Sequence, residues 1–164
     1  MAVTARTLKK SKEKDPVIYG YAGKIARLNL TTHTYSVIPT SKYLPDYVGG
    51  RCMANKIFYD EAKPGVKALD PEAILVYMTG PTCGTGVPTG GRSLFTGISP
   101  NNWPEQYCWS GMGGYFSVEM KWAGWDGLII EGASQDPVYI YIEDDNIEFH
   151  SAANLWGKYV RETQ

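Results

Sequence analysis

Residues Val138 to Phe149 run Val-Tyr-Ile-Tyr-Ile-Glu-Asp-Asp-Asn-Ile-Glu-Phe, and no other stretch limits the fold so tightly. Successive side chains of a strand point to opposite faces, so Val138, Ile140 and Ile142 fall on one face and Tyr139 and Tyr141 on the other. Asp144-Asp145-Asn146 then supplies residues that tolerate a tight reversal. The segment predicts an antiparallel hairpin.

A second hairpin is predicted over Tyr19 to Ile38, where Ile25, Leu28 and Leu30 sit among Lys24, Arg27 and Asn29 and the Thr31–Thr34 stretch with His33 makes the turn. Two helical segments are expected around Gly49-Gly50. The second, Arg51 to Ala62, sets Met53, Ala54, Ile57 and Phe58 on one stripe of helical period and stops before Pro64-Gly65. Ala73 to Met78 is a short continuous apolar run, as a strand buried on both faces requires, and Arg92 to Ile98 resumes as a strand. A short extended run at Gln106 to Trp109 leads to the loop Gly111-Met112-Gly113-Gly114 and a helix from Phe116 to Ala123. Leu155 to Gln164 begins another helical pattern with no glycine or proline stop after it, as in a fragment of a longer chain. Short strands joined by hairpins, without regular strand–helix alternation, predict an α+β domain of mainly antiparallel sheet with a few short helices.

Composition narrows the function. With 43% hydrophobic residues, twelve Tyr and five Trp, residues 17–164 are expected to fold as one domain, and the tryptophans are expected to pack. Lysine-rich residues 1–16 read as a flexible basic tail. A net charge of −1 gives no footprint for nucleic acid or an anionic membrane, and no apolar run is long enough to span a bilayer or to serve as a secretory signal. A cytoplasmic protein is expected. Cys52, Cys83 and Cys108 are odd in number and scattered, which argues against a disulfide framework and against a zinc or iron–sulfur site made by this chain alone. His33 and His150 have no ligand-spaced companion and read as satisfied surface histidines, so general acid–base catalysis has no candidate.

Two loops carry chemistry. Thr79 to Arg92 combines five glycines with an arginine entering the next strand. Bare amides approach an anion closely and a guanidinium grips phosphate with two parallel bonds, although a glycine-rich connection is also simply a turn. Gly111–Gly114 before a helix has the same double reading, anion site or tight turn.

Taken in order, Gly23–Thr31, Val48–Arg51, Thr79–Pro81, Val87–Arg92, Gly113–Phe116, Lys121–Asp126, Ile129–Gly132, Pro137–Ile142 and Leu155–Lys158 resemble the N-terminal domain of the aldehyde:ferredoxin oxidoreductase family, at matching spacing. The resemblance implies a two-sheet base supporting a tungsten (or molybdenum) bis-pyranopterin. It also implies a 4Fe-4S cluster whose ligands lie outside this chain, and ferredoxin or an electron-transfer subunit as partner to the full enzyme. By the same resemblance Arg92 reaches the pterin and cluster region, the backbone carbonyl of Gly111 serves the magnesium ion bridging the pterin phosphates, and Gly91, Gly113 and Gly114 line the cofactor. Gly111-Met112 stands where aldehyde oxidoreductases often have Asn-Ser. Met112 and Cys83-Gly84 are similar to the tungsten subunit of benzoyl-CoA-type reductases, whereas Pro88 to Arg92 follows the aldehyde branch. The implied activity is oxidation of an aldehyde to a carboxylic acid. The alternatives are part of an aromatic acyl-CoA reductase, or a catalytically silent scaffold. The 164 residues alone are expected to be inactive, and the exposed site surface to favour a homo-oligomer.

Overall fold

The computed structural model describes residues 19–164, so the expected tail at residues 1–16 lies outside the described residues. In chain order come β1 (Lys24–Asn29), β2 (Thr34–Pro39), α1 (Gly50–Glu61), β3 (Ile74–Thr79), β4 (Ser93–Ser99), β5 (Gln106–Met112), α2 (Phe116–Trp122), β6 (Gly127–Glu131), β7 (Val138–Glu143), β8 (Asn146–Ser151) and α3 (Val160–Thr163). Among the described residues, six strands form one sheet in the order β2-β1-β6-β3-β4-β5, and β7 with β8 forms a second. Every pairing is antiparallel except β1 with β6, where Ile25 opposes Gly127 and Asn29 opposes Glu131. The α+β, mainly antiparallel expectation holds.

The large sheet is covered on both faces. Toward α1 point Ile25, Ile74, Val76, Met78 and Ile129, which bury the helix stripe of Met53, Ala54 and Ile57. On the opposite face Ala26, Leu28, Tyr77 and Leu128 meet Met120 of α2, Trp125, and Ile147 and Phe149 of the small sheet. Burial of this apolar area is the main stabilising term. β3 lies inside both layers and is buried at every position except Leu75. At its neighbour β6 a Cβ on Gly127 would collide with Met78 Sδ and the Tyr77 carbonyl oxygen, so only glycine allows the two backbones this approach.

The β7–β8 hairpin forms with the expected faces, Tyr139 and Tyr141 exposed and Val138, Ile140 and Ile142 half-buried, but its turn is Asp144-Asp145 alone, because Asn146 already pairs with Glu143. Its turn is fastened to the large sheet: Trp125 Nε1 donates to the Asp144 carbonyl at 2.7 Å, Tyr35 Oη to the Asp145 carbonyl at 3.2 Å, and Lys24 pairs with Asp145. A second tether is Asp126, 1% exposed, whose carboxylate accepts from the Ala22 and Gly23 amides at 2.9 and 2.8 Å, from Thr40 Oγ1 at 2.6 Å, and from Lys121. With every partner in place, that buried charge is compensated.

Four further expectations need correcting. The first helical segment before Gly49 is only a 3-10 turn at Thr40–Lys42, because Pro39 and Pro45 bracket it and a proline disfavours helical backbone in the residue before it. Gly111 and Met112 belong to β5, paired with Leu94 and Ser93, so the expected loop is shorter by two residues. The Leu155–Gln164 pattern yields only the four-residue α3, since Gly157 turns with φ +82°. Of the tryptophans only Trp125 is buried; Trp103, Trp109, Trp122 and Trp156 are exposed.

Candidate functional site

Three glycine-bearing segments meet beside β4 and the edge strand β5. The Thr79–Arg92 loop is a succession of turns, with Cys83 N–H donating to Gly80, Thr85 N–H to Thr82 and Gly90 N–H to Val87. α2 pins it at two points: Trp122 Nε1 donates to the Gly84 carbonyl at 3.0 Å and Ser117 Oγ to the Gly91 carbonyl at 2.6 Å. These bonds fix the backbone from which Arg92 projects. From the other side, a Cβ on Gly49 would stand 3.2 Å from the Thr79 carbonyl oxygen, so the Val48–Arg51 segment lies directly against the start of the same loop.

Arg92 is exposed, and its guanidinium turns toward β5: Nη1 lies 3.6 Å from the position a Cβ on Gly111 would take. Leu94 opposes Gly111 in the ladder, and its side chain fills the space between Gly111 and Gly50. Gly113 and Gly114 have nothing within 4 Å of their Cβ positions, and Gly114 turns with φ +89°, leaving a bare stretch of backbone beyond Gly111. Four of the five expected site glycines and arginines thus share one surface. Gly91 differs, facing α2 with Val118 Cγ2 at 3.7 Å from its Cβ position. Among the described residues Arg92 has no carboxylate partner, so its charge is free for an anion.

Sequence reasoning missed two residues on this surface. Arg51, in the second position of α1, stacks its guanidinium over the Trp109 ring at 4.7 Å, and Trp109 stands two residues before Gly111 on the same face of β5. The signal was present in Val-Gly-Gly-Arg, but only tertiary packing brings that segment to β5.

Behind the loop the chemistry is quiet. Cys83 is buried; the Tyr77 and Ser93 hydroxyls are buried without a hydrogen-bond partner. Burial pushes Tyr77 up to about 12. His33 meets Ser134 Oγ at 2.9 Å and stacks on Phe149, and His150 meets Glu148 at 2.8 Å and stacks on Tyr139, so both histidines are satisfied. Among the described residues no group of three or more His, Cys, Asp or Glu is placed to hold a metal ion, and no helix is long and apolar enough to cross a membrane. Apolar concavities lie elsewhere, one of about 560 Å³ between α2 and β7 and one of about 520 Å³ between α1 and β5 near Tyr107; neither touches Arg92 or Gly111.

The chain is 40% identical over 148 residues to the tungsten-containing aldehyde ferredoxin oxidoreductase of Pyrococcus abyssi, covering 90% of this chain and 24% of that protein. It is 31% identical over 144 residues to the aliphatic sulfonate oxidoreductase, WOR-like subunit, of Pyrococcus furiosus, covering 85% and 22%. A chain from the active-site complex of benzoyl-coenzyme A reductase with 1,5-dienoyl-CoA superposes with a TM-score of 0.83 at 32% identity, covering 88% of this chain and 22% of that one. The sequence therefore spans about a quarter of the length of the curated relatives it matches. Residues 25–164 match the family described as aldehyde ferredoxin oxidoreductase, N-terminal domain, and it is to this family that the chain belongs.

Proposed function

We propose that residues 17–164 are the cofactor-cradling domain of a longer, cytoplasmic tungsten (or molybdenum) bis-pyranopterin oxidoreductase that converts aldehydes to carboxylic acids and passes the electrons to ferredoxin. The observation that carries this reading is the unpaired Arg92 guanidinium held over the Gly111 backbone beside bare Gly113 and Gly114. A flat, phosphate-bearing ligand fits such a surface, since no side chain keeps it from the backbone and a fixed cation meets its charge. When bound, the metal–pterin group would supply the two-electron step R–CHO + H2O → R–COO⁻ + 3 H⁺ + 2 e⁻, the electrons passing to ferredoxin, and the protein would supply binding and orientation. Arg92 would bind a phosphate, the Gly111 carbonyl would hold the magnesium ion, and Gly113 and Gly114 would admit the ring edge. Ser117 holds Gly91 and thereby aims Arg92. The cysteines Cys52, Cys83 and Cys108 sit on α1, under the loop and on β5 respectively, so the ligands of a 4Fe-4S cluster would come from other parts of the protein.

A second reading, part of a benzoyl-CoA-type reductase, is favoured by the likeness to that structure and by Met112 at the end of β5. The test of the first reading uses the full-length protein. Arg92→Ala is expected to lower metal and pterin content and aldehyde oxidation by about tenfold or more, as loss of a charge-assisted contact predicts, with Arg92→Lys intermediate. Full cofactor occupancy with unchanged turnover would remove Arg92 from the site. Reduction of an aromatic acyl-CoA without aldehyde turnover would select the second reading.

A further inference from the structure

We infer that Arg51, held in place by Trp109, is a second phosphate-binding guanidinium of the same surface, so that this face of the chain favours a ligand with two neighbouring phosphoryl groups. The inference rests on the reading of Arg92 as a phosphate ligand and adds a residue that the resemblance does not supply.

The geometry comes from three contacts. The Arg51 guanidinium lies 4.7 Å over the Trp109 ring. Arg92 Nη1 lies beside Gly111, the next position on the same face of β5, about 7 Å farther along the strand. The Leu94 side chain touches both ends: its Cδ1 lies 3.9 Å from the Cβ position of Gly50, the residue before Arg51, and its Cδ2 lies 3.7 Å from that of Gly111. Leu94 thus lies beside both segments, and the two cations stand over neighbouring positions on one face of β5. Arg51 is also exposed and, among the described residues, neither guanidinium has a carboxylate partner; no acidic residue occupies the first turn of α1.

Two like charges on one face repel each other, and an anion that reaches both relieves the repulsion. A guanidinium left without a carboxylate usually samples many rotamers, but stacking on an indole restricts Arg51 while leaving its N–H edge free to donate. The floor between the cations, Leu94 and Gly111, is low and offers no competing acceptor side chain. A single phosphate would satisfy one fork. Two phosphoryl groups, as in a diphosphate or in the paired phosphates of a bis-pyranopterin, match both.

The experiment titrates the 164-residue chain with inorganic pyrophosphate and with orthophosphate at fixed ionic strength. Binding is followed by NMR through the Gly111, Gly113 and Gly114 amides and the arginine Nε–H signals. Wild type is expected to prefer pyrophosphate by about tenfold or more, as a second charge-assisted contact predicts. Arg51→Gln should cut that preference to about twofold, the residue of the charge difference alone, while orthophosphate binding at Arg92 changes little. Trp109→Leu, which keeps every charge, should also reduce the preference if the indole positions Arg51. Each variant is first shown to keep the wild-type thermal midpoint, as an exposed residue should. An undiminished preference in Arg51→Gln overturns the assignment of Arg51 and leaves Arg92 standing. Unchanged binding of both anions in Arg92→Gln instead removes Arg92, and with it the shared site. No shift of these signals by either anion in wild type overturns the inference as well.

Discussion

Tyr77 shows how a single side chain can couple stability to pH without taking part in chemistry. It packs edge-on against Phe116 and tilted against Phe95, and its hydroxyl is buried with no hydrogen-bond partner. Burial raises its ionisation to about 12, above the ordinary value near 10. The folded state therefore retains a proton that the unfolded chain loses between these values, so stability is fully present below pH 10 and falls as pH rises toward 12. The difference amounts to roughly 2 to 3 kcal/mol at most. Urea unfolding between pH 9 and 11.5 is expected to show this decline, and Tyr77→Phe should be less sensitive by that amount and no less stable at pH 7. Equal alkaline sensitivity in the two proteins would refute the assignment. Nothing in Ile-Leu-Val-Tyr-Met-Thr distinguishes this tyrosine from the eleven others; its neighbours do. Arg92 and Gly111 were legible through motif spacing and resemblance, whereas Arg51 and Trp109, fifty-odd residues apart, were joined only by packing.

Among the elements, the β7–β8 hairpin was the most legible, because it has one wet and one dry face and alternation survives in its sequence, whereas β1, buried on both faces, was marked by its turn residues instead. β6 was the least legible. Its Gly-Leu-Ile-Ile-Glu lies in the middle of the sheet between β1 and β3, covered on both faces, so it has no alternation to read. β5 was cut short in the sequence reading because glycine signals a turn there, yet at Gly111 the absent side chain makes room for the Arg92 guanidinium. The helical expectation over Leu155–Gln164 followed periodicity alone and yielded to Gly157. The β7–β8 hairpin is too small to be stable alone and depends on the ring of Phe149, 2% exposed, which packs in the second core and stacks on His33 at 5.6 Å. Phe149→Ala is expected to cost about 3 to 5 kcal/mol, the range for removing a buried aromatic. Amide exchange should show the hairpin opening ahead of β3 and β4. A loss below about 1 kcal/mol would mean the hairpin is held by its turn contacts instead.

At the scale of the whole molecule, a six-stranded sheet sandwiched between α1 on one face and α2 with the small sheet on the other presents the Arg92 surface on its rim rather than inside a cavity. A rim site of this kind binds its ligand from one side only. The 164-residue chain is accordingly expected to purify without tungsten, pterin or an iron–sulfur chromophore, checked by elemental analysis and visible absorption; stoichiometric iron with acid-labile sulfide would contradict it. The parallel pairing of β1 with β6 has a further effect, on the order in which the molecule can be made. Ile25 has no inner neighbour until Gly127 arrives, roughly a hundred residues later, which at ribosomal speeds of about 5 to 20 residues per second is on the order of 5 to 20 s. α1 can cover Ile25 early in that interval, but Leu28 waits on Met120, Trp125, Ile147 and Phe149, so the opposite face of the first hairpin stays apolar and open until synthesis has passed β6 and reached β8.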